Sequence, residues 1–219
     1  MICRAVIFDL DGTLLDTLDD LTAAVNYALA AHGMPTHTRD EVCRFVGNGV
    51  RLLMLRAVPE GTDEGTFETV YADFRQYYKA HSLVKTAPYP GIAELLTAVA
   101  DAGLKTAILS NKMQASMEDL CRHFFPTVTV AIGDDGDRPL KPDPAGLNTA
   151  LARLGVAAED AIFVGDSDVD IATARNAGMR CLSAGWGFRE PAFLRAHGAT
   201  QIAATPGEVL TYLRNGACE

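Results

Sequence analysis

Short, nearly continuous apolar runs alternate with amphipathic helical patterns through most of this chain, and one long helical stretch interrupts them. The runs are Cys3–Phe8, Leu104–Leu109, Val128–Ile132, Ala161–Val164, Met179–Ser183 and Thr200–Ala203. A strand apolar on both faces must be covered on both, which is the situation of parallel strands flanked by helices. The segments between the runs carry helix punctuation. Ile92, Leu95, Leu96 and Val99 recur at helical spacing, and Gly103 follows as a stop. Asp143-Pro144 offers an N-cap with proline at the first helical position, and Gly155 ends that helix. Thr205-Pro206-Gly207-Glu208 reads as a capping box. The expected fold is α/β: a doubly wound parallel sheet, a Rossmann-like core.

The interruption lies between Asp16 and about Ala87, where no strand pattern is found. Leu18, Leu21, Val25, Ala28 and Leu29 form one helical stripe, and Thr38-Arg39-Asp40-Glu41 is a capping box for a second helix. Val50–Val58 makes a third, and Phe67, Val70, Tyr71, Phe74 and Tyr77 mark a fourth. This stretch of roughly 70 residues far exceeds the usual connection of about 2–6 residues, so it reads as an insertion. The return passes through Ala87-Pro88-Tyr89-Pro90-Gly91, a stiff connector. The expected organisation is a core from residues 1–15 and 88–219 and an inserted helical domain from 16–87.

A chain of 219 residues suits one domain with an insertion or two domains. With 48% apolar and 21% charged residues there is enough apolar surface to offset chain entropy, so a folded protein is expected. Nineteen basic against 28 acidic residues leave a net charge of −9, which speaks against nucleic acid or an anionic membrane as partner. A small anionic ligand stays open, because a site needs only local positive charge. No apolar run approaches a membrane span, and the opening run meets Asp9 too early for a signal peptide. The five cysteines, Cys3, Cys43, Cys121, Cys181 and Cys218, form no CxxC pair. They read as reduced, buried thiols of a cytoplasmic protein, a monomer or homodimer.

The chemistry gathers at strand ends. The first run closes on Asp9-Leu10-Asp11-Gly12-Thr13, two carboxylates two residues apart at the carboxyl end of a strand, where open α/β sheets place their ligands. The Leu104–Leu109 run ends in Ser110-Asn111-Lys112, and Ala161–Val164 in Gly165-Asp166-Ser167-Asp168-Val169-Asp170. Lys141 lies between them. Each fragment has a structural alternative: Asp-Gly as a turn, Ser110 as a helix cap, Lys141 as a surface lysine, Asp166 and Asp168 as first-turn acids. Together they bring hydroxyl, amide, ammonium and carboxylates to one sheet edge. Hydroxyl, amide and lysine suit a phosphate; clustered carboxylates suit a hard cation such as Mg²⁺.

These four segments, in this order, resemble the motifs of the haloacid dehalogenase superfamily over essentially the whole chain, and Asp16-Thr17 resembles the hinge before a helical cap in one of its branches. The resemblance implies that Asp9 is the nucleophile that forms an aspartyl-phosphate. Asp11 would protonate the leaving group and then accept a proton from water. It implies Mg²⁺ on the Asp9 and Asp166 carboxylates and the Asp11 carbonyl, with Asp170 behind that shell. Lys141 would neutralise charge, while Ser110 and Asn111, with Gly12 and Thr13 in the turn after Asp9, would hold the phosphoryl oxygens. Dehalogenases of the superfamily lack the second aspartate, so Asp11 favours phosphatase chemistry.

Selectivity is expected from the insertion. Val42–Val58 carries Arg44, Arg51 and Arg56 and no acid. Gly47-Asn48-Gly49 followed by Arg56-Ala57 resembles the cap of phosphoglycolate phosphatases, which implies 2-phosphoglycolate as substrate, with Gly47, Asn48, Gly49, Arg51 and Arg56 as its cap ligands. The glycine loop also reads as a plain interhelix turn. The proline that family carries after Asn-Lys is Met113 here. A pyrophosphatase or promiscuous small-metabolite phosphatase of the same superfamily is the alternative. A non-catalytic binding module is the remote one, since Asp9, Asp11, Lys141 and Asp166 are all kept.

Overall fold

The computed structural model describes residues 3–215, so Cys218 lies outside the described residues. These divide into two compact units, one within Met1–Leu15 and Pro88–Glu219, the other Asp16–Ala87.

In chain order the elements are β1 (Ala5–Phe8), β2 (Leu15–Asp16), α1 (Leu18–Ala31), α2 (Arg39–Phe45), α3 (Val50–Ala57), α4 (Glu64–His81) and β3 (Ala87–Pro88). Then follow α5 (Ile92–Asp101), β4 (Lys105–Met113), α6 (Gln114–Phe124), β5 (Val130–Asp134), α7 (Ala145–Leu154) and β6 (Ala161–Gly165). The chain continues with α8 (Asp168–Asn176), β7 (Arg180–Ala184), α9 (Pro191–Ala196), β8 (Ile202–Ala203) and α10 (Pro206–Asn215). Six strands form the main sheet in the order β5-β4-β1-β6-β7-β8, and β2 pairs with β3 separately. The pairs β1–β4, β1–β6, β4–β5, β6–β7 and β7–β8 are all parallel. This is the expected doubly wound sheet. Its order sets the ends of β4, β1 and β6 side by side.

Both faces of the sheet are covered, which is why its strands read as unbroken apolar runs. Val6, Phe8, Ile108, Ile162 and Val164 pack on one side with Ile92, Leu95, Val99, Met117 and Leu120. Ala5, Ile7, Ala107, Leu109 and Phe163 pack on the other with Leu147, Ala150, Leu151 and Ala174. Cys3 and Cys121 are buried, whereas Cys43 and Cys181 are only half-buried, a correction to the expectation that all are interior; the four are free thiols. Burial pushes the Cys121 and Cys181 thiols up to about 12, which keeps them protonated and unreactive.

Three local expectations shift. Pro144 is the N-cap of α7 rather than its first residue, and Asp143 Oδ1 accepts the Ala145 N–H at 2.8 Å. Glu208 reaches back to the Ala204 N–H at 2.8 Å, one residue beyond the expected box. Strand β4 does not stop at Leu109 but continues to Met113 across a register shift, so Ser110, Asn111 and Lys112 sit in an irregular stretch of strand. Such a bulge re-aims side chains that regular pleating would alternate.

The helical unit has its own core. Leu18, Leu21, Ala24, Val25, Ala28 and Leu29 of α1 are buried, as are Phe67, Val70, Phe74 and Tyr78 of α4. Tyr78, not Tyr77, completes the α4 stripe, because steps of three and four residues from Phe67 lead to it. The capping box of α2 forms as read, Thr38 and Glu41 each satisfying the other's backbone N–H. Asp20 is buried and accepts the N–H groups of Val84, Lys85 and Thr86 and the Thr86 hydroxyl, which fixes the return after α4.

Candidate active site

Asp9 follows the last residue of β1, the strand flanked by β4 and β6, so it stands between the ends of both. Its Oδ1 accepts the Leu10 N–H at 2.7 Å and lies 2.8 Å from Lys141 Nζ. Lys141 Nζ also lies 2.6 Å from Asp170 Oδ1. Asp170 is pinned in turn by α8's capping box: its Oδ2 accepts the Ser167 hydroxyl at 2.6 Å and the Ser167 N–H at 3.1 Å. Asp166, at the end of β6, accepts the Thr13 hydroxyl at 3.1 Å and the Phe188 N–H at 2.7 Å. Asp9, Asp166 and Asp170 are all buried. One carboxylate oxygen of each lies within 4.8 Å of the others.

Two of these three buried carboxylates contact the buried Lys141 ammonium, and the acidities respond. Burial, and then Asp170, raise the Asp9 carboxyl well above its usual range, against the pull of Lys141. Burial and Asp170 likewise push the Asp166 carboxyl up to about 7. Burial works against the charge on Lys141, but Asp170 and Asp9 outweigh it and hold the ammonium above its usual range. The surplus negative charge and the all-oxygen donor set fit a hard divalent cation such as Mg²⁺.

The other expected residues have contacts of their own. The Asp11 carboxylate, whose residue was read as a metal ligand through its carbonyl, stands outside the acid group, and its oxygens lie 2.8 and 3.1 Å from Lys112 Nζ. Gly12, Thr13 and the Asn111 side chain, read as holders of phosphoryl oxygens, make contacts within the protein. The Gly12 and Thr13 N–H groups close the turn onto the Leu15 and Leu10 carbonyls. The Thr13 hydroxyl is on Asp166. The Asn111 amide donates to the Lys141 carbonyl at 2.9 Å and accepts the Lys141 N–H at 2.7 Å, clamping that backbone. The turn itself takes the two N–H groups, and contacts with segments far along the chain take the Thr13 hydroxyl and engage the Asn111 amide. Ser110 Oγ accepts the Lys112 N–H at 3.3 Å, which leaves its own proton to donate. Met113 adopts φ −49° and ψ 131°, a conformation open to proline, so its departure from the resembling pattern leaves the local backbone alone.

Close glycine packing around Asp166 is a feature that motif reading missed. A Cβ on Gly12 would stand 2.3 Å from Asp166 Oδ2, and one on Gly187 would stand 2.3 Å from both Asp166 Cβ and the Gly12 carbonyl. The repeated glycine of Gly185-Trp186-Gly187 was the available signal. Trp186 between them packs against the core and donates its indole N–H to the Thr13 carbonyl at 3.0 Å. Gly187→Ala is expected to displace Asp166, costing about 1–3 kcal/mol in urea denaturation and a larger share of turnover. Unchanged stability and rate would mean that the site yields freely there.

Within the helical unit, the two arginines expected to meet substrate already have protein partners. Arg51 is ion-paired with Glu68, and its guanidinium lies 5.0 Å from the Phe67 ring centroid and 5.6 Å from that of Tyr71. Arg56 donates to the Phe45 carbonyl at 2.8 Å and to Asn48 Oδ1 at 3.0 Å, bracing the Gly47-Asn48-Gly49 turn. The acid-free segment is therefore less positive than its sequence suggests, because α4 supplies Glu68. Arg44, at the end of α2, is exposed and was not singled out as a substrate ligand.

Comparison with known proteins bears on this site. The family model described as haloacid dehalogenase-like hydrolase matches residues 6–184. Phosphoglycolate phosphatase 1 of Pseudomonas aeruginosa is 35% identical, over 97% of this chain and 78% of its own length. N-acetylmuramic acid 6-phosphate phosphatase of the same organism is 33% identical, over 99% of this chain and 97% of its own length. The crystal structure of a candidate phosphoglycolate phosphatase from Lactobacillus delbrueckii subsp. bulgaricus is 33% identical, with a TM-score of 0.92, covering 97% of this chain and 99% of that one.

Proposed function

The chain belongs to the haloacid dehalogenase-like hydrolases and is a phosphatase of that family, and from this premise we propose that it hydrolyses 2-phosphoglycolate to glycolate and phosphate through an aspartyl-phosphate. One observation carries the mechanism: the Asp9 carboxylate, buried at the end of β1 and paired with Lys141. An Asp9 oxygen attacks phosphorus, and the P–O ester bond breaks with its electron pair on the leaving alkoxide. Asp11 donates the proton that alkoxide takes. Water then attacks the aspartyl-phosphate, Asp11 accepts its proton, and the Asp9 carboxylate is released. Lys141 and the Ser110 hydroxyl hold phosphoryl oxygens, and the Asn111 clamp on the Lys141 backbone keeps that ammonium in register. Mg²⁺ would be held by the Asp9 and Asp166 carboxylates and the Asp11 carbonyl, with Asp170 behind them. When bound it offsets the negative charge of the acids and the phosphoryl group.

The substrate rests on the names of the relatives and on the helical unit. The Gly47-Asn48-Gly49 turn is braced by Arg56, and the exposed Arg44 supplies positive charge suited to a carboxylate. A second reading has its own support. The N-acetylmuramic acid 6-phosphate phosphatase aligns over nearly the whole of both chains, and its named substrate is also a phosphate ester carrying a carboxylate. The deciding experiment ranks 2-phosphoglycolate, N-acetylmuramic acid 6-phosphate, pyrophosphate and para-nitrophenyl phosphate by kcat/KM with Mg²⁺ present. The proposal requires 2-phosphoglycolate to lead, and leadership by either other metabolite replaces it.

The arginines give a sharper check. Arg44→Ala is expected to lower kcat/KM for 2-phosphoglycolate roughly 10- to 100-fold, the loss of a charge-assisted hydrogen bond, and to spare para-nitrophenyl phosphate. Arg51→Ala and Arg56→Ala, if they act by loosening the unit, should affect both esters alike. An Arg51→Ala protein selectively impaired on 2-phosphoglycolate would return recognition to that residue.

A further inference from the structure

Lys112 is a buried lysine for which the mechanism above has no use. Its side chain is 1% exposed, and its ammonium contacts both oxygens of Asp11, at 2.8 and 3.1 Å. A lysine is rarely this buried unless its charge is matched, so the contact is an organised one. Two features of the chain create it. The register shift in β4 between Leu109 and Met113 carries Lys112 off the regular pleat. The tight turn after β1, closed by the Leu14 and Leu15 N–H groups on the Leu10 carbonyl, brings Asp11 back toward it. Asp11 itself stays 15% exposed, so its carboxylate keeps a path to water while one side is fixed.

We propose that Lys112 is a positioning residue that holds the Asp11 carboxylate where it receives the proton of the hydrolytic water. The inference rests on the reading of Asp11 in the proposed function. In that half-reaction a water oxygen bonds to phosphorus, the bond from phosphorus to the Asp9 oxygen breaks with its electron pair returning to Asp9, and the water's proton passes to Asp11. An ionised, oriented Asp11 is the form this step uses. A carboxylate gripped at both oxygens by one ammonium still has lone pairs to accept that proton. Forming the aspartyl-phosphate from an ester with a good leaving group asks nothing of Asp11. Lys112 should therefore matter to one half of the cycle and not to the other.

Rapid-mixing kinetics with para-nitrophenyl phosphate and Mg²⁺ separate the halves. Lys112→Met is expected to release close to one equivalent of nitrophenol per enzyme at the wild-type burst rate, then to turn over about 100-fold more slowly, the cost of a misplaced catalytic group. The phosphorylated protein should accumulate and be visible in intact-protein mass spectra. Lys112→Arg keeps the charge and should recover much of the slow phase; if the methionine variant does not fold, this variant must still show a normal burst and a reduced steady state. Wild-type turnover in Lys112→Met overturns the proposal, and so does joint loss of burst and turnover in a folded protein. Asp11→Asn, measured beside it, should show the same burst and stall. If Asp11→Asn turns over normally, the role of Asp11 fails and that of Lys112 with it. If it stalls while Lys112→Met does not, only the inference about Lys112 fails.

Discussion

Asp9→Asn is expected to abolish turnover while leaving the fold in place. The amide keeps an oxygen that can accept the Leu10 N–H and the Lys141 ammonium, the two contacts that Asp9 Oδ1 makes. What it loses is the anionic nucleophile. Removing a group that forms the covalent intermediate costs on the order of 10⁴-fold or more, since other parts of the site cannot substitute for it. Stability should move the other way. Burial and Asp170 raise the Asp9 carboxyl well above its usual range, which means that the folded site disfavours its charge. A neutral amide relieves that cost, so the variant should melt at or above the wild-type temperature near neutral pH without metal. Lys141 keeps Asp170 as its partner. Two measurements decide this, para-nitrophenyl phosphate hydrolysis and calorimetry. Retained hydrolysis would end the covalent mechanism, and a collapsed fold would show that the Asp9–Lys141 pair is structural first.

The second large effect concerns the cation and pH together. Chelation should silence the enzyme and Mg²⁺ should restore it, because Asp9 and Asp166 offer oxygen alone. The same acids make the metal-free protein sensitive to pH. The Asp166 carboxyl lies at about 7 in the folded chain against an ordinary 3.8. Between these values the folded state binds more protons than the unfolded one, so stability falls as pH rises from about 4 to about 7. Exposed Glu41, Asp63, Glu68 and Asp135 are held low by hydrogen bonds and act in the opposite direction. Comparison with Asp166→Asn cancels their share. Near pH 8 the metal-free wild type should melt roughly 5 °C or more below Asp166→Asn, and the gap should close toward pH 4. Mg²⁺ should raise the wild-type melting temperature at pH 8 and scarcely at pH 4, where the ligands are protonated. Full activity after exhaustive chelation, or a gap that does not change with pH, would separate the acid cluster from cation binding.

The amino-acid sequence by itself determined most of the elements and, for β1 and β6, the strand ends on which the chemistry sits. Apolar runs such as Ala161–Val164 are strands because both faces of a parallel sheet are buried, and that requirement is written residue by residue. The α2 capping box is equally local, since Thr38 and Glu41 are three residues apart. Asp9 and Asp166 could be singled out because they follow apolar strands, and Lys141, in the connection between β5 and α7, because of the set of segments it completes. What no local pattern held was which partner each side chain meets. Sequence spacing says nothing of Lys112 on Asp11, 101 residues away, or of Asn111 on the backbone of Lys141, 30 residues away. Both follow from a register shift in β4 that its composition does not announce. The charge of Val42–Val58 looked unopposed along the chain, and α4 brought Glu68 to Arg51. Hydrogen bonds and ion pairs act over a few ångströms of space whatever their separation in sequence. The pattern of apolar residues therefore decided where the chain runs, and only the packed tertiary structure decided which polar groups remain free for substrate.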